Sequence, residues 1–283
     1  MRTVAIVAPG AMGSAIAARL TENGVRVLTS LEGRGEQTRE RARAAGMSDA
    51  ADSDLARADL LLSIVPPADA MGVAHRFAGP LAAAGEDRAI YVDCNAINVE
   101  TKREVAGVIA AGGTTFLDGA IIGLPPKPGA PGPRFYIAGD DPGPAVQLRA
   151  FGLDMRPCEG GIGAAAGLKM SFAGLNKGLT ALAATMVLAA ARAGSLEALR
   201  AELAETEPAL LARFERGLPD MVPKAYRWAP EMREIAGFVG DDEAGRSIFE
   251  GAERLYARLA RDEGADDVAA LRAFAAGARR GDV

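Results

Sequence analysis

Histidine occurs once in these 283 residues, tryptophan once and cysteine twice. A lone His75 leaves little material for a zinc site built on several histidines or for a Ser-His-Asp triad, so no metal site is expected. Cys94 and Cys158 are too few for a disulfide scaffold. Neither sign of charge dominates: Lys plus Arg number 32 against 37 Asp plus Glu, for a net charge of −5. That balance gives no reason to expect nucleic acid or an anionic membrane as partner. A charged-then-apolar leader is lacking as well, because the chain opens on the strand-like run TVAIVA. These absences together predict a cytoplasmic protein that handles a small ligand. No clean membrane span is expected either. The most apolar long stretch, residues 160–191, is interrupted by Lys169, Asn176 and Lys177 and is rich in alanine and glycine, which predicts a buried helix.

Hydrophobic residues make up 49% of the chain, enough for one large domain or two ordinary ones. From Thr3 to about Cys158, short apolar runs (TVAIVA, VRVLTS, LLLSIV, AIYVDC, TTFLDG, RFYIAG) alternate with helical stretches. This rhythm predicts an α/β domain with a doubly wound, Rossmann-type parallel sheet over residues 1–160. Residues 123–133 form a Pro/Gly-rich loop between two of the strands. Helix formers without proline then predict one long helix over 161–193. Apolar residues at three- and four-residue spacing make 194–283 an all-helical C-terminal domain.

The stretch VAIVAPGAMGSAIAARL, residues 4–20, has the form of a strand, a turn and a helix that receive a pyrophosphate. Gly10 and Gly13 take the second and third glycine places, for phosphate approach and helix-strand packing, and Ala8 takes the first. Pro9, Gly10, Ala11, Met12 and Gly13 are therefore the expected cofactor-binding turn, with free helix N–H groups facing an anion. The second strand ends in VLTSLEGRGE, without the acidic residue that would hold ribose hydroxyls at its tip. Ser30 and Arg34 could accept the extra phosphate of NADP, which favours NADP(H). Glu32 leaves NAD(H) open, and Arg34 also reads as a solvated helix-start residue.

Four stretches in this order, APGAMGSAIAARL, ADLLLSIVPPADA, YVDCNAINVETKREVA and GIGAAAGLKMSFAGLNKGLTAL, resemble the beta-hydroxyacid dehydrogenase and 6-phosphogluconate dehydrogenase superfamily. The last, together with AYRWAPEMREIAGF, is most similar to a subgroup of NAD(P)-dependent oxidoreductases with a phosphogluconate-dehydrogenase-like helical domain. The resemblance implies that Val65, Pro66 and Pro67 run beside the cofactor, that Asn95 and Gly123 position substrate, and that Lys169 moves the proton at the substrate oxygen. Each also has a bland reading: a strand-end turn for Val65 to Pro67, a loop cap for Asn95, a tight turn for Gly123. Asp93 reads as structural and Cys94 as a small buried hydrophobe.

Two family positions depart from the pattern: Ala165 stands four residues before Lys169 and Ala173 four after it, where glycine and asparagine are expected. Asn176, seven residues on, returns to about the same helical face and is the expected assistant to Lys169; Lys177 is a further expected substrate contact. The alternative is a helix with a few snorkelling lysines. Phe172 replaces the histidine of the decarboxylating phosphogluconate enzymes, which argues against that reaction. Tyr226, Trp228 and Glu231 read either as cavity lining or as core. The resemblance also implies a homodimer through the helical domain. The function expected is hydride transfer between nicotinamide and a small carbonyl or hydroxy compound, with imine reduction or a non-catalytic NADPH sensor as alternatives.

Overall fold

The computed structural model describes residues 2–127, 129–261 and 265–277. Two compact units divide the chain, 1–169 and 170–283. The division falls after Lys169, inside the long helix expected over 161–193.

Unit 1 contains strands β1 (Thr3–Val7), β2 (Arg26–Thr29), β3 (Ser48–Asp49), β4 (Leu60–Ser63), β5 (Ile90–Asp93), β6 (Phe116–Ile122), β7 (Arg134–Ala138) and β8 (Asp154–Pro157). Its helices are α1 (Ala11–Glu22), α2 (Glu36–Ala44), α3 (Asp52–Leu55), α4 (Ala70–Ala83), α5 (Val99–Ala110) and α6 (Gly143–Val146), followed by the first turns of α7 (Ala164–Ala193). The strands form one sheet in the order β3-β2-β1-β4-β5-β6-β7-β8. The order reverses direction between β1 and β4, and in such sheets ligands gather at the carboxyl edge beside that switch.

Side-chain alternation explains why both faces are covered. Val4 and Ile6 of β1, with Leu60 and Leu62 of β4, join Ile16 and Leu20 of α1 in one core. Ala5, Val7 and Leu61 point the other way, to Phe77 and Leu81 of α4 and Val105 and Ile109 of α5. One pair departs from the expected parallel sheet: β7 runs antiparallel to β6. Their connection is the Pro/Gly-rich loop, which has no helix among its described residues, and a short connection without a crossover can join only antiparallel neighbours. β8 returns to parallel pairing with β7.

Unit 2 takes the remainder of α7 with α8 (Leu196–Thr206), α9 (Pro208–Met221), α10 (Ala225–Val239), α11 (Glu243–Leu259) and α12 (Ala265–Ala276). α11 buries Ala252, Leu255, Tyr256 and Leu259, an i, i+3, i+4, i+7 stripe. Gly174 and Gly178 make a notch in α7 for the Phe249 ring; a Cβ on Gly178 would stand 3.2 Å from it. By length and composition α7 could cross a membrane. Its Ala181, Ala184, Val187 and Leu188 are instead buried in the helical core with Leu218, Met221 and Met232. The expected helical character of 262–264 and 278–283 falls outside the described residues.

Candidate functional site

The turn after β1 is built as a phosphate cradle. Gly10 N–H donates to the Ala8 carbonyl at 2.8 Å, folding the chain back before α1 starts. The first i to i−4 bond of the helix runs from Ser14 N–H to Gly10 O at 2.9 Å, so the N–H groups of Ala11, Met12 and Gly13 precede the helical ladder. A Cβ on Gly13 would collide with the Ala8 carbonyl oxygen, so glycine is required there for helix-strand packing. A Cβ on Gly10 would meet nothing within 4 Å, which leaves open space over the amides where an anion would sit. Ala8 does no harm, because no non-glycine residue among those described has a positive φ. The turn therefore fits a pyrophosphate with two glycines.

Beyond the switch point, strand register lines up a row of polar residues at the carboxyl edge. Val7 pairs with Ser63, Ser63 with Asp93, and Asp93 with Asp118. Ser63, Asp93 and Asp118 are all fully buried, as is Lys102 of α5. Lys102 Nζ forms a short ion pair with Asp93 Oδ1 and donates to the Asp93 carbonyl at 2.9 Å. Asp118 Oδ1 stands 3.5 Å from the same ammonium. Asp118 Oδ2 accepts from the N–H groups of Gly163, Ala165 and Ala166 at 2.9, 3.0 and 3.1 Å. It thereby caps the start of α7, a favourable place for a carboxylate at a helix N-terminus.

Lys169 lies in the next turn of that helix, partly buried. Burial pushes its pKa down to about 8, and the positive charge of Lys102 pushes the same way, against the opposing influence of Cys94 and Asp93. An amine with a pKa near 8 can both release and accept a proton near neutral pH. Cys94 is the opposite case: burial raises its thiol pKa to about 12, so it packs as an inert hydrophobe.

Residues 3–134 match the NAD binding domain of 6-phosphogluconate dehydrogenase, and residues 190–259 match a domain of unknown function, DUF1932. The first of these matches agrees with the resemblance to the beta-hydroxyacid dehydrogenase and 6-phosphogluconate dehydrogenase superfamily. A conserved protein of unknown function, whose structure was described as similar to 3-hydroxyacid dehydrogenases, is 29% identical. That likeness covers 93% of this chain and 99% of the other, with a TM-score of 0.75. A conserved hypothetical protein from Sinorhizobium meliloti is 26% identical, covering 97% of each chain with a TM-score of 0.78. An uncharacterized 28.5 kDa protein of Methanothermus fervidus is 28% identical over 185 residues, 65% of this chain and 69% of that protein.

The remaining expected site residues divide into two groups. Val65, Pro66 and Pro67 leave β4 at the carboxyl edge, with both prolines exposed. Ser30 follows β2, and its hydroxyl accepts from Arg76 Nη2 at 2.8 Å; Arg76 is itself held by both oxygens of Asp52. Arg34 is exposed, and Arg39 donates to the carbonyls of Arg34 and Leu31 at 2.9 and 2.7 Å. Ser30, Glu32, Arg39 and Asp49 line a hollow of about 300 Å³ here.

The second group has other employment. Asn95 is 2% exposed. Its amide nitrogen donates to Ser63 Oγ at 2.9 Å and Asp93 Oδ2 at 2.8 Å, and its oxygen accepts from Val65 N–H at 2.7 Å. Both amide protons are thus given to protein acceptors, and Asn95 ties the β4 and β5 ends together. Gly123 has φ 130° and lies against Pro133, so it serves the turn after β6. Asn176 accepts from Arg213 at 3.0 Å and donates to the Phe172 carbonyl at 2.8 Å. Lys177 forms an ion pair with Glu231 and stands 5.5 Å from the Trp228 ring. Trp228 packs against the helical core, Glu231 pairs with Lys177 while keeping 40% of its side chain exposed, and Tyr226 is 71% exposed.

Sequence reasoning missed Lys102, Asp118 and Arg76. A signal existed for the first two. Lys102 shares its helical face with Val105, Ala106 and Ile109, all buried, and Asp118 interrupts the wholly apolar run of β6. A charge on an apolar stripe has to be paired.

Proposed function

We propose that this protein is an NAD(P)-dependent dehydrogenase or reductase of a small carbonyl or hydroxy compound, with Lys169 as the proton donor and acceptor. The observation that carries this reading is the pairing, within unit 1, of an open amide cradle at Gly10 with a partly buried lysine whose pKa falls to about 8. A bound nicotinamide supplies or takes the hydride. Lys169 Nζ takes the hydroxyl proton when an alcohol carbon is oxidised and returns it to the oxygen when a carbonyl is reduced. Retention of this lysine favours a C–OH/C=O substrate over a cyclic imine. Asn176 and Lys177 are left out of this machinery because both already hold side-chain partners, Arg213 and Glu231, on the helical unit.

NADP(H) is the proposed cofactor. The exposed Arg34, four residues after Ser30 in the segment that follows β2, suits a 2′-phosphate, since a guanidinium pairs two oxygens at once. Calorimetric titration should show NADPH binding more tightly than NADH, with Arg34→Ala weakening NADPH alone. A panel of hydroxy acids, aldehydes and cyclic imines followed by nicotinamide absorbance then tests turnover. Binding of neither nucleotide would overturn the reading.

A cytoplasmic homodimer completes the proposal. Phe172, Leu175, Leu182 and Met186 are exposed at 47, 74, 59 and 54%, and their spacing of three, seven and four residues draws one apolar stripe along α7. A single helical stripe is self-complementary across a two-fold axis, so a second copy of this chain is the fitting occupant. Light scattering should give a dimer mass for the native protein and a monomer mass for Leu175→Lys with Leu182→Lys. A monomeric native protein would reject the dimer.

A further inference from the structure

We propose that Lys102 is a positioning residue for Lys169, holding the helix start that carries it and supplying the neighbouring positive charge that keeps it ready to lose a proton. Its catalytic meaning rests on the function proposed above, but the coupling between the two lysines does not.

The first ground is the cost of having a lysine at this place. Lys102 is completely buried on the apolar face of α5. An apolar side chain in a buried ion-pair position is often neutral or stabilising, so stability alone gives no reason for this charge. The second ground is where its partners lead. Lys102 Nζ is bonded to Asp93, lies 3.4 Å from the carbonyls of Asn95 and Gly119, and faces Asp118 Oδ1, which has no hydrogen-bond partner. The other oxygen of Asp118 holds three amides at the start of α7. Packing makes a second link between α5 and the same helix start. Gly163 has φ 105°, and a Cβ there would stand 2.7 Å from Val99 at the head of α5. Lys169 follows in the next turn of α7.

The groups that bear electrostatically on Lys169 are Lys102, Cys94 and Asp93. Of these, Lys102 pushes toward the neutral amine and Asp93 toward the ammonium. Removing the Lys102 charge would leave the Asp93 carboxylate unopposed, and that negative charge would hold the proton on Lys169. Lys102 therefore favours the neutral amine at Lys169.

Competitive acetylation of the intact apo protein across pH 6–10, with peptide mass spectrometry at Lys169, reads the titration midpoint without any turnover. Lys102→Met should raise that midpoint by about one unit or more, which is roughly a tenfold smaller amine fraction at pH 7.5. Lys102→Arg should leave it near the native value, and Asp93→Asn should lower it. Should Lys102→Met fail to fold with Asp93 and Asp118 both unpaired, the double variant Lys102→Met with Asp118→Asn removes one buried charge of each sign, still leaves Asp93 unopposed at Lys169, and should still raise the midpoint. An unchanged midpoint in folded Lys102→Met, alone or with Asp118→Asn, overturns the proposal. Native protein that shows these shifts yet turns over nothing in the substrate panel would sink the enzymatic reading and leave the coupling standing.

Discussion

Lys169→Ala is expected to lower kcat by roughly 10²–10⁴-fold, the usual contribution of one positioned acid or base, while the affinity for NADPH stays unchanged. The separation follows from geometry. The amides of Ala11, Met12 and Gly13 that would hold the pyrophosphate belong to the turn after β1, and Lys169 belongs to the start of α7. Kinetics as a function of pH add a second test. With a pKa of about 8, Lys169 is an ammonium below that pH and an amine above it. Oxidation of a hydroxyl needs the amine, so its rate should rise through pH 8. Reduction of a carbonyl needs the ammonium, so its rate should fall through the same point. Lys169→Ala should flatten both limbs. Cofactor binding with native activity in Lys169→Ala would reduce the lysine to a structural residue.

Asp118→Ala should destabilise unit 1 by about 3–5 kcal/mol, the range for removing one partner of a buried ion pair. Two losses coincide there: Lys102 keeps only Asp93 as a carboxylate partner, and three buried N–H groups at the start of α7 lose their acceptor. Asp118→Asn should cost less, because its amide oxygen can still accept from those N–H groups. Urea unfolding followed by circular dichroism measures both. Native-like stability in Asp118→Ala would mean that the buried row does not hold the helix start in place.

Local pattern made much of the fold legible. Alternating apolar runs placed six of the strands, and the glycines at 10 and 13 marked the turn because their chemical reason is local: one opens space over amides and the other clears a carbonyl. The two-residue β3 and the brief α3 were not anticipated, since elements so short carry no periodicity. The antiparallel β7 was likewise missed, although the loop of prolines and glycines before it had no room for a crossover helix.

The candidate site was less legible. For Asn95 the resemblance implies a substrate contact and the local sequence equally allows a loop cap; only the tertiary neighbours show that both amide protons are given to Ser63 and Asp93. Asn176 and Lys177 shared a helix with Lys169, yet their partners, Arg213 and Glu231, lie 37 and 54 residues away in sequence.

Sequence by itself determined the strand-helix alternation, the dinucleotide turn and the existence of a lysine in a long apolar helix, since each depends on residues within a few turns of one another. Tertiary structure alone decided what surrounds that lysine. Register brought Ser63, Asp93 and Asp118 into one row, and α5 delivered Lys102 beneath it. Burial and like charge act through space, so the proton affinity of Lys169 is set by residues distant along the chain.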